Sequence, residues 1–405
     1  MKRFTSIVFL TLIIASILFP KTGTCEIVFP QDLNRECNEA QTNTNELVIA
    51  EAGEKDRDKG DVGVKDLSDR ILRIEEKIDS KNLRTWSDKI NLNGVIEVEA
   101  GYEGFDFNAP SEDDEKSTDI SVATVELGVD VDIVKHVKGY ILLEYEDDED
   151  VSVDEAIITI DGLDVLPFYL NVGKLCIPFG YYESHFISDP LTIELGETKE
   201  SAVVAGFSGG MFGLSLGVFN GDINKTDKDD HIKNFVASAV FTPPEVAVTG
   251  LGLMVGASWI SNIADSNGLQ DYLGEEYGVN EIDHYIPGWS IFLSASFLDR
   301  FFLEYEYVAA SEKFENDDLG LSPGEEFGPK AWNLDFAFAI TEDLEAAIRY
   351  ERSNDSHGFI PERQYGAAVT CGLFEKTSLA VEYLHGAFEN NDERDVLTVQ
   401  IAIEF

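Results

Sequence analysis

The sequence predicts an all-β fold: a transmembrane antiparallel β-barrel of about 16 strands, preceded by a short N-terminal coiled-coil helix. Two observations predict the barrel. From Ile90 to Phe405, apolar and polar residues alternate with a period of two in runs long enough to cross a bilayer, about ten residues each. Along the same stretch, short turns alternate with long acidic loops, the end-to-end asymmetry of a barrel that spans an outer membrane. A third observation, a helical period between Asp66 and Asn82, predicts the helix.

Composition supports the division. The chain has 405 residues, with 77 Asp and Glu against 30 Lys and Arg, a formal net charge of −47. A disordered acidic chain is poor in aromatic and β-branched residues, whereas this one is 44% hydrophobic and 11% aromatic. No basic face is segregated anywhere, so nucleic acid is excluded as a partner. Residues 1–87 hold 13 Lys and Arg against 15 Asp and Glu, while residues 88–405 hold 17 against 62, so two different regions join near Trp86.

Taking the elements in order, Lys2 and Arg3 precede an apolar run from Ile7 to Phe19, then Pro20 and the small residues of Gly23-Thr24-Cys25. This is the pattern of a secretory signal peptide over 1–25. The run is short of the ~20 residues that a spanning helix needs, and no later stretch approaches that length. A membrane protein without such a helix must be a closed barrel, because only helices and barrels satisfy every backbone polar group in hydrocarbon. Residues 26–65 are polar and read as a flexible linker. Over 66–86, Leu67, Ile71, Ile74 and Ile78 form an a/d seam among charged residues, expected in the periplasm. The seam suits a short amphipathic helix lying on its own protein or a small coil tying protomers together. The remaining cysteines, Cys37, Cys176 and Cys371, are odd in number and widely spaced, which is no disulfide framework. Cys371 falls in the lipid-facing phase.

Residues 88–405 form the barrel. Ile90, Leu92, Ile96, Val98, Ala100 and Tyr102 alternate with Asn91, Asn93, Glu97, Glu99 and Glu103. Phe212 to Val218, Leu251 to Trp259, Trp332 to Ile340 and Leu344 to Tyr350 repeat the pattern, and Leu397 to Phe405 closes it. A β-sandwich also alternates, but with strands of only ~5 or 6 residues. Sixteen strands imply an aqueous channel rather than a packed core. Aromatic residues at strand ends, among them Tyr102, Phe219, Trp289, Phe301, Phe302, Tyr305, Tyr307, Trp332, Tyr350 and Tyr383, read as interfacial girdles. The acidic stretches, such as Asn262 to Tyr285 and Ser353 to Glu362, read as loops, with outer-membrane lipid and lipopolysaccharide phosphates, bridged by divalent cations, as their partners.

No catalytic residue, cofactor or metal site is expected. Gly206-Phe207-Ser208-Gly209-Gly210 matches a nucleophile-elbow pattern, but two amphipathic strands surround it where a parallel strand and a helix are required. The six histidines are scattered. Function is expected in the inward phase, where Glu97, Glu99, Glu126, Asp130, Asp132, Glu144, Glu304, Glu306, Asp335, Glu345 and Glu351 would line the lumen, relieved chiefly by Lys174 and Arg349. Rings of carboxylates favour cations.

The stretch from Asn171 to Thr198, with Gly173, Lys174, Pro178, Phe179, Gly180, His185, Asp189, Pro190, Gly196 and Glu197, resembles the core segment of the LbtU-type siderophore porins. Its G-K-x(3)-P-F-G element is shared more loosely with phosphate-selective porins. The resemblance implies an outer-membrane channel that passes a ferric siderophore; apart from it, no enzyme activity is expected and a homotrimer is the expected assembly. Pro178 and Gly180 end a strand, and the non-alternating segment after them would fold into the lumen as a constriction. The acidic wall argues against phosphate and sits awkwardly with anionic carboxylate siderophores. Two alternatives stand beside this reading: a general cation-biased diffusion porin and a secreted β-sandwich adhesin.

Overall fold

The computed structural model describes residues 89–405 apart from 110–112, 148–149, 163–164, 227–230, 245–249, 316–318 and 322–326. The signal peptide, linker and coiled-coil helix expected over 1–86 lie outside the described residues. The strands are β1 (Ile90–Asp106), β2 (Glu115–Val134), β3 (Val137–Glu146), β4 (Ser152–Asp161), β5 (Phe168–Cys176), β6 (Lys199–Gly209), β7 (Phe212–Phe219), β8 (Asn224–Lys225) and β9 (Asn234–Phe241). They continue as β10 (Leu251–Ile260), β11 (Glu281–Ile282), β12 (Gly288–Phe297), β13 (Phe301–Ala310), β14 (Lys330–Thr341), β15 (Leu344–Asn354), β16 (Arg363–Phe374), β17 (Thr377–Ala387) and β18 (Glu393–Glu404).

All but β8 and β11 close into one barrel of 16 antiparallel strands, each paired with its sequence neighbours. The seam runs from Val95 opposite Glu404 to Asp106 opposite Glu393. Two-residue alternation drives this closure: Ile348 and Tyr350 on β15 are 60% and 40% exposed, while Arg349 and Glu351 between them are 2% and 0% exposed. Each strand therefore turns one face to lipid and the other indoors. At one end the connections are short, such as Gly210-Met211 and Glu342-Asp343; at the other they are long, such as 177–198, 261–287 and 311–329. Gly206 to Gly210 is the β6–β7 hairpin, with Gly210 at φ +65°, so the elbow pattern has no elbow.

Three expectations need correction. The acidic stretch 262–285 is not a plain loop. It holds a 3-10 turn (Ile263–Asp265) and helix α2 (Asn267–Tyr277), which buries Leu269 and Leu273 at helical spacing and ends on Gly278 at φ +67°. Its acidic residues on the other face hid that seam. Phe219 and Phe302 belong to no outer girdle: both occupy the inward phase of their strands, Phe219 in a buried cluster and Phe302 packed beside another. Nor is the lumen simply aqueous. At the long-loop end an apolar core gathers Ile177, Phe179 and Leu195 with Ile263, Leu269, Ile282, Phe314 and Phe327. Sixteen strands enclose enough room for loops to fold inward and bury their own apolar residues. Cys176 is disulfide-bonded, and Cys371 lies in the outward phase of β16.

Candidate solute passage

The site is built by residues 177–198, the connection from β5 to β6. At its start Gly173 holds φ +143°, and a Cβ there would strike the carbonyl oxygen of Ala156. Gly180 holds φ +84° against the Tyr182 ring, so only glycine fits. Pro178 and Phe179 are buried, and Pro190 precedes helix α1 (Leu191–Gly196). Tyr182 is itself at φ +54°, a conformation that costs an L residue roughly 1–2 kcal/mol.

What holds the segment there is a set of inward carboxylates. Glu306 on β13 accepts the backbone N–H groups of Tyr181 and Tyr182 at 3.0 and 2.8 Å and the Ser290 hydroxyl at 2.7 Å. Glu382 on β17 accepts the N–H groups of Ile187 and Ser188 at 2.7 and 3.0 Å. Glu351 on β15 accepts the Leu191 N–H and the Gln364 amide, both at 2.7 Å. His185 Nδ1 lies 2.9 Å from Glu345, its ring against Phe302. At the centre the Arg349 guanidinium grips Asp335 through Nε and Nη2 at 2.9 and 2.8 Å. The same guanidinium donates to the Ser188 and Asp189 carbonyls and to the Ser184 hydroxyl, and lies over the Phe186 ring. Arg349 and Asp335 are fully buried. Such charge-assisted bonds are about twice as strong as neutral ones, which accounts for a loop held in a strained conformation.

Opposite this anchored wall, the segment leaves a water-accessible space of about 580 Å³ against β18, β1, β2, β3 and β4. Nine carboxylates line it: Glu97, Glu99, Glu144, Glu146, Asp154, Asp189, Glu197, Asp222 and Asp271. Two lysines accompany them, Lys174 and Lys199. Lys199 is 2.9 Å from Asp154 and 3.9 Å from Glu197, and Lys174 donates to the Val153 carbonyl at 2.9 Å. Gln400 donates to Glu99 at 2.9 Å. Both cations are thus engaged, and the wall keeps a large excess of negative charge.

A sequence profile described as phosphate-selective porin O and P matches residues 92–316, more than half of the chain. The chain belongs to that porin family. Its members are channels rather than enzymes, and this chain has the closed 16-stranded barrel of such a channel. A UPF0422 protein of Coxiella burnetii is similar at 25% identity over 285 residues, 67% of this chain and 59% of that protein. A UPF0422 protein of Legionella pneumophila is similar at 23% identity over 334 residues, 73% of this chain and 58% of that one. The porin thus spans under two thirds of the length of these relatives. Among solved structures, the outer membrane channel DcaP of Acinetobacter baumannii has a TM-score of 0.53 at 15% identity, over 78% of this chain and 97% of that one. Salmonella typhi OmpF has a TM-score of 0.52 at 11% identity, over the same shares. Both likenesses are of fold.

Of the side chains assigned to the porin's lumen, Glu97, Glu99, Glu144 and Lys174 meet at the open space, where Asp189 and Glu197 of the constriction segment join them. Glu126 is buried beside them, and Asp130 accepts from Asn93 at 3.2 Å, nearer the short-turn end. Asp132 is exposed at that rim. Glu304, Glu306, Asp335, Arg349 and Glu351 do not line open water; they are buried, Glu304 bonded to Ser294 and the other four holding the inner segment or one another. The reason is coverage: a period of two gives the face, whereas what lies over that face comes from a loop with no period. Arg349 therefore relieves no charge in the passage. Glu382, Asp154 and Lys199 were not singled out, although Glu382 sits between the outward Val381 and Tyr383 and its phase would have found it.

Proposed function

We propose that this porin is a cation-biased diffusion channel, passing small hydrophilic solutes of neutral or positive charge across the outer membrane. The observation that carries the reading is the passage wall, nine carboxylates against two engaged lysines. In a narrow, low-dielectric bore such a wall repels anions and concentrates cations. Phosphate, named in the family's description, would meet repulsion here. Measured in a planar bilayer under a potassium chloride gradient, the reversal potential is expected to give a cation preference; an anion preference overturns the reading.

A second, finer reading is uptake of a ferric siderophore, favoured by the 171–198 segment and its resemblance to siderophore porins. The acidic wall restricts that cargo to neutral or cationic chelates rather than polycarboxylates. Growth of a deletion strain under iron limitation decides: unchanged ferric siderophore uptake removes it. The residues placed at the passage, the homotrimeric assembly and a periplasmic N-terminal segment belong to the same proposal.

A further inference from the structure

The outward face of the barrel carries an arrangement that the passage does not use. Arg352 on β15 and Arg363 on β16 stand directly opposite one another in the ladder. Both share the outward phase with Tyr350 and Tyr365, which are also opposed. Like charges in that relation repel and weaken a sheet. One carboxylate answers them: Glu362 accepts from Arg352 Nη2 at 3.0 Å. Arg352 Nε is buried with no acceptor among the described residues, and the exposed Arg363 has no ion pair among them. Of the nearby acids, Asp355 pairs with Lys330 at 3.7 Å and Asp395 with His385 at 2.8 Å.

Depth identifies what meets this pair. Trp332 is opposite Arg352, and Tyr307 is opposite Trp332. Their rings join a belt, Trp289 to Tyr307 at 4.9 Å and Trp332 to Tyr350 at 5.5 Å. Such belts sit at headgroup level. The row lies at the long-loop end, the end that faces outward in barrels of this kind. Two arginines on one rung of the ladder at that depth suit phosphate, which arginine binds through paired N–H donors.

We propose that Arg352 and Arg363, with Lys330 alongside, form a docking site for a phosphate of the phosphorylated glycolipid of the outer leaflet. The anion neutralises the opposed pair and supplies the acceptor that Arg352 Nε lacks. The inference takes from the porin reading only which end faces outward and is independent of the solute that passes.

The test uses the full-length protein in dodecyl maltoside, titrated with bisphosphorylated lipid A and followed by tryptophan fluorescence. Arg363→Gln is expected to weaken binding about tenfold and Arg352→Gln with Arg363→Gln further, while Arg363→Lys retains part of the affinity. Dephosphorylated lipid A is expected to bind no better to the wild type than to the double variant. Heat-modifiable migration and single-channel conductance are expected to stay unchanged, since neither arginine faces the lumen. Equal affinity of wild type and Arg363→Gln for lipid A overturns the proposal. Displacement of lipid A by inorganic phosphate at equal phosphate concentration also overturns it, by assigning a free-anion site. A wild type that binds lipid A through these arginines but conducts no ions would sink the channel reading and leave this one standing.

Discussion

On β1 and β3 the inward glutamates Glu97, Glu99 and Glu144 face water, whereas on β13, β15 and β17 Glu306, Glu351 and Glu382 each accept backbone N–H groups of residues 177–198. The residue type and the alternation are the same; the difference is what covers them. A carboxylate at the open space keeps contact with water and turns its field toward that space. A carboxylate under a loop has lost that water, and the loop's donors replace it. The loop in turn has its orphan N–H groups satisfied by the wall rather than by secondary structure of its own. One half of the barrel is thus open to water and the other half a clamp.

Breaking the clamp at its centre is expected to have the largest effect. Arg349→Ala leaves Asp335 charged and buried, with the Ser188 and Asp189 carbonyls stripped of their donor. Removing one partner of such a pair costs about 3–5 kcal/mol. A fall of that size in the urea stability of the detergent-purified barrel is expected, with a rise in conductance as the segment leaves the wall. Unchanged conductance would mean that residues 177–198 do not restrict flow. Glu382→Ala is a milder form of the same test. It removes the acceptor for Ile187, Ser188 and the Ser188 hydroxyl, at about 1–3 kcal/mol. New protease cleavage near Ser188 and noisier single-channel current are expected, with most of both reversed in Glu382→Gln.

The comparison also shows what a sequence exposes and what it hides. The barrel was legible because lipid on one side and polar surroundings on the other impose a period of two on every strand. Even the strand count and the alternation of turn and loop followed from it. The same period placed Glu97 and Glu306 indoors with equal force. It had no means of separating them, because the covering segment binds them through backbone N–H groups that every residue possesses. Helix α2 was hidden for a related reason: its seam is only Leu269 and Leu273, and Asp271, Glu275 and Glu276 dominate its composition. The opposed Arg352 and Arg363 became visible only with the ladder register, which fixes which residue of one strand meets which of the next.

On the open side the expected signature is inverted. Glu97→Gln with Glu99→Gln removes two like charges from a wet wall, so stability is expected to stay within about 0.5 kcal/mol. The cation preference of the reversal potential is expected to fall. A large stability loss without a selectivity change would make these residues anchors too, and the contrast between the two halves would disappear.

The smallest expected effect lies in Asp265, outside the membrane-spanning strands, where the two behaviours compete within one side chain. It is fully buried, and it accepts the Ile223 N–H at 3.0 Å and the amides of Asn234 and Asn262 at 2.7 and 2.9 Å. Burial pushes its carboxyl up to about 7, against these donors, which favour the anion. A folded-state value above the unfolded ~3.9 means that the folded loops bind the proton more tightly. The resulting stability is complete below about pH 4 and is lost as pH rises through 7. Amide exchange in 220–226 and 261–287 is therefore expected to be slower at pH 5.5 than at pH 8 after correction for intrinsic rates, and Asp265→Asn is expected to flatten that difference. Protection that instead rises with pH would show the three donors outweighing burial, and Asp265 would join Glu306, Glu351 and Glu382 as an anion held by the chain it holds.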